Sequence, residues 1–322
     1  MVASSAPSRT REVPPIIIAL AAGIIWWGIG FLPWIFTGLN GSELSILSET
    51  ATTSAVPFGR VSSAGVMVGF GLIGGLCASG VWFLARLVGR RVWLASLTGI
   101  MAAIAVAFVQ TYIAAAAERD LETFDYQLFA LSAAACVGGS LAGWGLGVAI
   151  TRGAVWIGMT LAALTAKGYT WYWEVIARYV NFTTGQDGYP RPGDGMYEIV
   201  SWQWVGVIAV ALIAIGARPL LRLAFWPVAI AVWWLAPLPS LLMWSLGNEL
   251  VHGEYLISAD DFWTWMVPEG RVIVGCSIAL ALAGLVTAAL AYSRSHREWK
   301  TGPRVYDGQS SLTVRERVGR SR

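Results

Sequence analysis

Long apolar blocks constrain this chain more than any motif in it. They centre on residues 15–38, 64–86, 92–116, 127–150, 154–173, 199–217, 223–246 and 272–292, the sixth being the shortest. Roughly 20 such residues cross the ~30 Å of bilayer hydrocarbon as a helix, whereas a membrane barrel is written in shorter, alternating strands. A helix also satisfies its backbone polar groups within its own segment, as hydrocarbon demands. With 56% hydrophobic and only 13% charged residues, and a mean hydropathy of +0.61, the chain carries more apolar surface than one soluble core can hide. The sequence therefore predicts an all-α polytopic transmembrane bundle of about eight spans, with the lipid bilayer as its first partner.

Charge predicts the orientation, because Lys and Arg are retained on the cytoplasmic side of short loops. With both termini inside, the cytoplasmic segments hold 16 of the 22 basic residues and four acidic ones, a net +12. The exported segments hold six basic and fifteen acidic residues, a net −9. The overall +3 conceals this dipole. The first span has a basic flank, but its apolar stretch outruns that of a signal peptide and no Ala-x-Ala site follows, so it is read as a span. Cys77, Cys136 and Cys276 all fall inside predicted spans, which excludes an exported disulfide framework. Arg outnumbers Lys by 20 to 2 in a chain rich in Ala and Gly, a bias of high-GC bacterial coding. The expected location is thus a bacterial cytoplasmic membrane.

The bundle, 15–292, is flanked by a short cytoplasmic N-terminal tail, 1–14, and a basic C-terminal tail, 293–322. Exported loops are expected near 39–63, 117–126, 174–198 and 247–271, each too small for a core of its own. The C-terminal tail has few large apolar residues and reads as disordered or lying on anionic lipid. It has neither the fold nor the aromatic spacing of a nucleic-acid binder. One weak repeat is visible. Trp26-Trp27, Leu32-Pro33 and Asn40-Gly41-Ser42-Glu43-Leu44, with Gly59-Arg60-Val61 opening the next span, parallel Trp233-Trp234, Leu238-Pro239, Asn248-Glu249-Leu250 and Gly270-Arg271-Val272. Spans 1–2 and 7–8 would then be parallel repeats about the membrane normal, unless the match is the chance product of 18 Trp.

Missing residues exclude several chemistries. The only histidines, His252 and His296, lie outside the spans, so no axial pair for haem and no His-rich metal site is expected, and no cofactor is assigned. No span has a mid-membrane carboxylate, the usual element of a proton relay. Glu249 and His252, one helical turn apart near Asp260 and Asp261, form too common a pattern to assign a metal. Lys167 stands about two thirds of the way through the fifth span, with Glu174 and Arg178 on the same helical face. Either it is a buried cation paired with Glu174, or it snorkels to the interface beside Tyr169, Trp171, Tyr172 and Trp173.

The prolines of the first and seventh spans point most directly to a site. Pro33 in one, and Pro227, Pro237 and Pro239 in the other, remove backbone donors at membrane depth. The freed carbonyls need protein or a cavity, and paired helix interruptions mark many transporter sites. Trp26, Trp27, Trp233 and Trp234 sit beside them, with Glu43 and Glu249 just beyond the outer boundary. The functional reading is an aromatic-lined, outward-facing site between spans 1 and 7 for a cationic or amphipathic substrate. The structural reading is a pair of packed kinks. Glycines four apart, Gly139, Gly143 and Gly147 in the fourth span and Gly65/Gly69 and Gly71/Gly75 in the second, predict close helix packing. Trp171/Trp173, Trp202/Trp204 and Trp263/Trp265, two apart, suit interfacial anchors better than one-faced sugar platforms.

Three functional classes follow. The leading one is a transport or export protein. The second is a non-catalytic subunit docking other envelope membrane proteins through its acidic exported loops. The third is an enzyme on a lipid-linked substrate using Asp260, Asp261 or Glu269, for which no catalytic residue pairing can be read.

Overall fold

A computed structural model of the chain describes residues 13–39, 56, 63–81, 90–118, 126–165, 171, 172, 175, 194–252 and 270–301. Every regular element among them is helical. In chain order they are α1 (Pro15–Gly30), α2 (Leu32–Leu39), α3 (Ser63–Ser79), α4 (Arg90–Glu118), α5 (Tyr126–Ile150), α6 (Ala154–Thr165), α7 (Asp194–Ile215), a 3-10 turn (Leu220–Ala224), α8 (Phe225–Leu235), α9 (Leu238–His252) and α10 (Gly270–Thr301). Four stretches, Arg91–Ala114, Tyr126–Ile150, Leu220–Leu250 and Ile273–Ser293, are long and apolar enough to cross a membrane. Four shorter apolar helices occupy the other places where spans are expected. The chain is therefore a helical, multi-pass type of membrane protein, with four helices among the described residues long and apolar enough to span.

Large apolar side chains left bare tell the same story. Ile24 is 71% exposed, Val106 69% and Leu285 69%. On α10, Ile273, Val274, Ile278, Leu282, Leu285 and Leu290 all face outward, and the buried positions among its described residues are the small Gly275, Ala279 and Ala283. Such surface is stable in lipid and aggregation-prone in water.

Side-chain placement fixes the relative helix directions. Gly71 and Gly75 of α3 lie against Cys136 and Ser140 of α5, while Gly139, Gly143 and Gly147 lie against Val68, Leu72 and Ser79, so α3 and α5 run parallel. In α1 and α4, Ala19 meets Gly99 and Gly23 meets Ala103, again in parallel, while Gly30 and Trp26 meet Gly74 of α3, which runs the opposite way. The short N-terminal part of α6 meets the C-terminal end of α7 through Gly158 and Ile215. Direction thus alternates along α1, α3, α4 and α5, as successive crossings require. Their two ends also differ in charge. Arg90 and Arg91 open α4, and Arg152 follows α5 and lines one groove with Arg222 from the link between α7 and α8, whereas Glu118, Asp194, Glu198 and Glu249 fall toward the other ends of their helices.

Two hydrophobic cores result. One gathers Ile18, Trp26, Phe31, Met67, Phe70, Ile104, Phe108 and Cys136 from α1, α3, α4 and α5. The other gathers Met159, Ile208, Leu212, Ile215, Trp226, Ala279 and Ala283 from α6, α7, α8 and α10. Val56, from the stretch expected as an exported loop, is fully buried in the first core, its N–H donating to Thr111 Oγ1 at 3.3 Å. At the other end of the expected bundle, α10 runs on to Thr301, so the first residues beyond 292 are helical. The repeat does not reappear in the packing: α1 lies on α3, whereas α10 lies chiefly on α7.

This arrangement makes a labelling prediction. Cysteines introduced at Thr151 and Arg218, both exposed at the arginine-bearing end, should react with a membrane-impermeant maleimide only from the cytoplasmic face. A cysteine at Tyr126 should react only from outside. Labelling of Thr151→Cys and Tyr126→Cys from the same side would overturn the orientation.

Candidate functional site

The two proline interruptions are both present as breaks, and they are resolved differently. α1 ends at Gly30 and is capped by Phe31, whose N–H still donates to the Trp27 carbonyl at 3.0 Å, and α2 restarts with Pro33 in its first turn. A proline is tolerated there because first-turn N–H groups have no helical acceptor. The Gly30 carbonyl at the break receives Trp171 Nε1–H at 3.0 Å. Pro33 is fully buried. This break is closed by protein.

The second break falls at Ala236–Pro237, between α8 and α9, near the middle of the long apolar stretch. Pro237 and Pro239 stand where the Trp233 and Leu235 carbonyls would find their i+4 donors, and neither proline has an N–H to give. Pro227, by contrast, lies in the first turn of α8 and interrupts nothing. Against the Ala236–Pro237 break lies a cavity of about 460 Å³. Its walls are Val68 and Leu72 of α3, Gly138 and Ala142 of α5, Ala163 of α6, and Val232, Leu235, Ala236, Pro239 and Met243 across the break. None of these side chains is charged, and the volume is within the roughly 300–1,000 Å³ of small-molecule sites.

The four tryptophans expected around one site lie in different surroundings. Trp26 is completely buried in the first core, with Nε1 donating to Ser140 Oγ at 2.9 Å and its ring 5.0 Å from Phe31. Gly74 leaves it room, since a Cβ there would come within 2.9 Å of the indole. Trp27 faces the other way, 39% exposed, into a groove of about 620 Å³ between α1 and α4. Trp233 belongs with the second core, stacked on Trp204 of α7 at 4.4 Å and 14°. Trp234 is half-buried with its ring 5.8 Å from that of Trp233. Neither the cavity at the break nor the α1–α4 groove joins α1 to α8, and α3 packs against both α1 and α9. Among the described residues expected to bind substrate, Pro239 alone lines the cavity at the break, beside Gly139 of the expected packing face. Pro237 is half-buried in the break itself, and Glu249 is half-buried further along α9.

Glu43, Lys167, Glu174 and Arg178 lie outside the described residues, as do Asp260, Asp261 and Glu269. Gly65 abuts the Ser240 carbonyl of α9, with a Cβ placed 2.9 Å from it, whereas Gly69 has open space where its Cβ would be. The Cβ direction of Gly69 therefore meets no neighbouring helix. Trp204, expected as an anchor at the interface, instead fills the space above Gly275 between α7, α8 and α10. Sequence reasoning missed Ser140 and Ser96, which accept Trp26 Nε1–H and Trp144 Nε1–H, the latter at 3.1 Å. A serine inside an apolar span facing a tryptophan on another helix leaves no spacing signal.

No protein-family model, curated protein or solved structure matches the chain.

Proposed function

We propose that the protein is a membrane transport or export protein whose substrate chamber is the cavity at the Ala236–Pro237 break. The carrying observation is that the interrupted helix faces a cavity at mid-bundle, the arrangement in which discontinuous helices serve transporters. The apolar walls select for a small apolar or amphipathic molecule, and Leu235, whose carbonyl loses its usual donor to Pro239, is one of them. The aromatic pairs then position helices: Trp233 braces α8 on α7, and Trp26 locks α1 to α5.

Gly138 offers the test. It lines the cavity and has nothing within 4 Å of its Cβ position. Gly138→Leu should therefore fold with normal yield while lowering transport, or protection by a bound substrate, by roughly tenfold or more, since it fills the chamber. Normal transport in a well-folded Gly138→Leu protein would remove the chamber from this site.

The subunit reading is favoured by the groove between α1 and α4, whose rim of Ile16, Leu20, Ile24 and Val106 is bare. A stoichiometric partner retained in mild detergent, and lost on Leu20→Arg, would support that reading.

A further inference from the structure

We infer that the protein holds an anionic phospholipid in a groove at its arginine-bearing end, separate from the proposed chamber. The groove encloses about 540 Å³. Arg152, from the link between α5 and α6, and Arg222, from the 3-10 turn before α8, stand on its walls. The rest is apolar, with Trp156 and Met159 of α6 facing Phe225 and Val228 of α8. Cationic groups at one end of an apolar cleft are the complement of a phosphate headgroup with an acyl chain beneath it.

Local geometry supports this occupant over a free anion. The link between α5 and α6 is only Thr151, Arg152 and Gly153, and Gly153 has φ +124°, a conformation that suits glycine. That turn sets Arg152 beside the first turn of α6, where unpaired backbone N–H groups favour a phosphate. Arg222 Nη1 makes one long contact, 3.5 Å, to the Ile215 carbonyl at the end of α7, leaving its other N–H groups for a second acceptor. Among the described residues no carboxylate pairs with either guanidinium. Bare Phe225, Val228 and Trp156 continue the groove into the lipid-facing surface, where a water-soluble phosphate has nothing to gain.

The test is native mass spectrometry of the full chain released from nanodiscs of equimolar phosphatidylglycerol and phosphatidylcholine. The wild type should retain phosphatidylglycerol preferentially, and R152Q/R222Q should lower that preference by roughly tenfold or more. R91Q and R218Q, which neutralise exposed arginines outside the groove, should keep it. An unchanged preference in R152Q/R222Q, or an equal loss in R218Q, would overturn the site. So would soluble glycerophosphate that displaces the lipid, which would identify a free anion as the occupant. Where R152Q/R222Q does not fold, V228W decides: it fills the groove and leaves both charges, and unchanged retention there overturns the proposal.

Discussion

Gly143→Ala should destabilise the protein strongly, by about 3 kcal/mol, the upper end of what overpacking a close contact costs, while Gly145→Ala two residues along should not. The Cβ added at 143 would fall on the Leu72 carbonyl and the Leu76 amide of α3. Neither is a flexible side chain that could swing away, so one helix must move. The same substitution at 139 strikes the Val68 backbone. At 138 and 145 the added methyl meets nothing within 4 Å, and alanine's better helix propensity contributes up to about 1 kcal/mol. One chemical change thus has opposite signs at neighbouring positions of α5. Thermal midpoints of the four variants in detergent, followed by fluorescence-detected gel filtration, would read this pattern. Equal midpoints for Gly143→Ala and Gly145→Ala would mean that α3 and α5 do not meet where their glycines align.

The seam also shows where sequence stops informing. Spacing of four along 139, 143 and 147 announces a flat helix face, because residues at that interval share one side. It does not name the partner. Gly138 and Gly145 interleave with that face and point away from it, and Gly69 shares its interval with Gly65 yet meets open space. Which glycine of a run is in contact depends on the rotation of the second helix, and that is set by packing several residues away. The apolar blocks, by contrast, were legible as helices because hydrocarbon admits few other forms, and the charge bias reappears as the two unlike ends of the bundle. Both proline breaks were legible too, since a missing donor is a property of one residue. Whether a break is sealed or opens on a cavity was not, because it depends on whether a distant group such as Trp171 arrives at the freed carbonyl.

Adjacent tryptophans provide the sharpest contrast of this kind. Trp26→Ala should cost about 3–5 kcal/mol, enough to remove most folded protein, because it empties a fully buried site ringed by Phe31 and Gly74 and strips Ser140 of its donor. Trp27→Ala should cost less than about 1 kcal/mol, as its ring is partly bare in the α1–α4 groove and the pocket it leaves can be taken by lipid. The 100° turn between consecutive helical residues is what sends one indole inward and the next out. Separating packing from hydrogen bonding needs Trp26→Phe, Ser140→Ala and their combination. The bond at 2.9 Å predicts a coupling of about 0.6 kcal/mol and at most about 1.7, the average and the maximum measured for polar contacts between membrane helices. A coupling of zero would leave Trp26 as a space-filler only, and equal folded yields for Trp26→Ala and Trp27→Ala would mean that α1 is rotated from the register argued here, since the outward indole would then carry as much of the packing as the inward one.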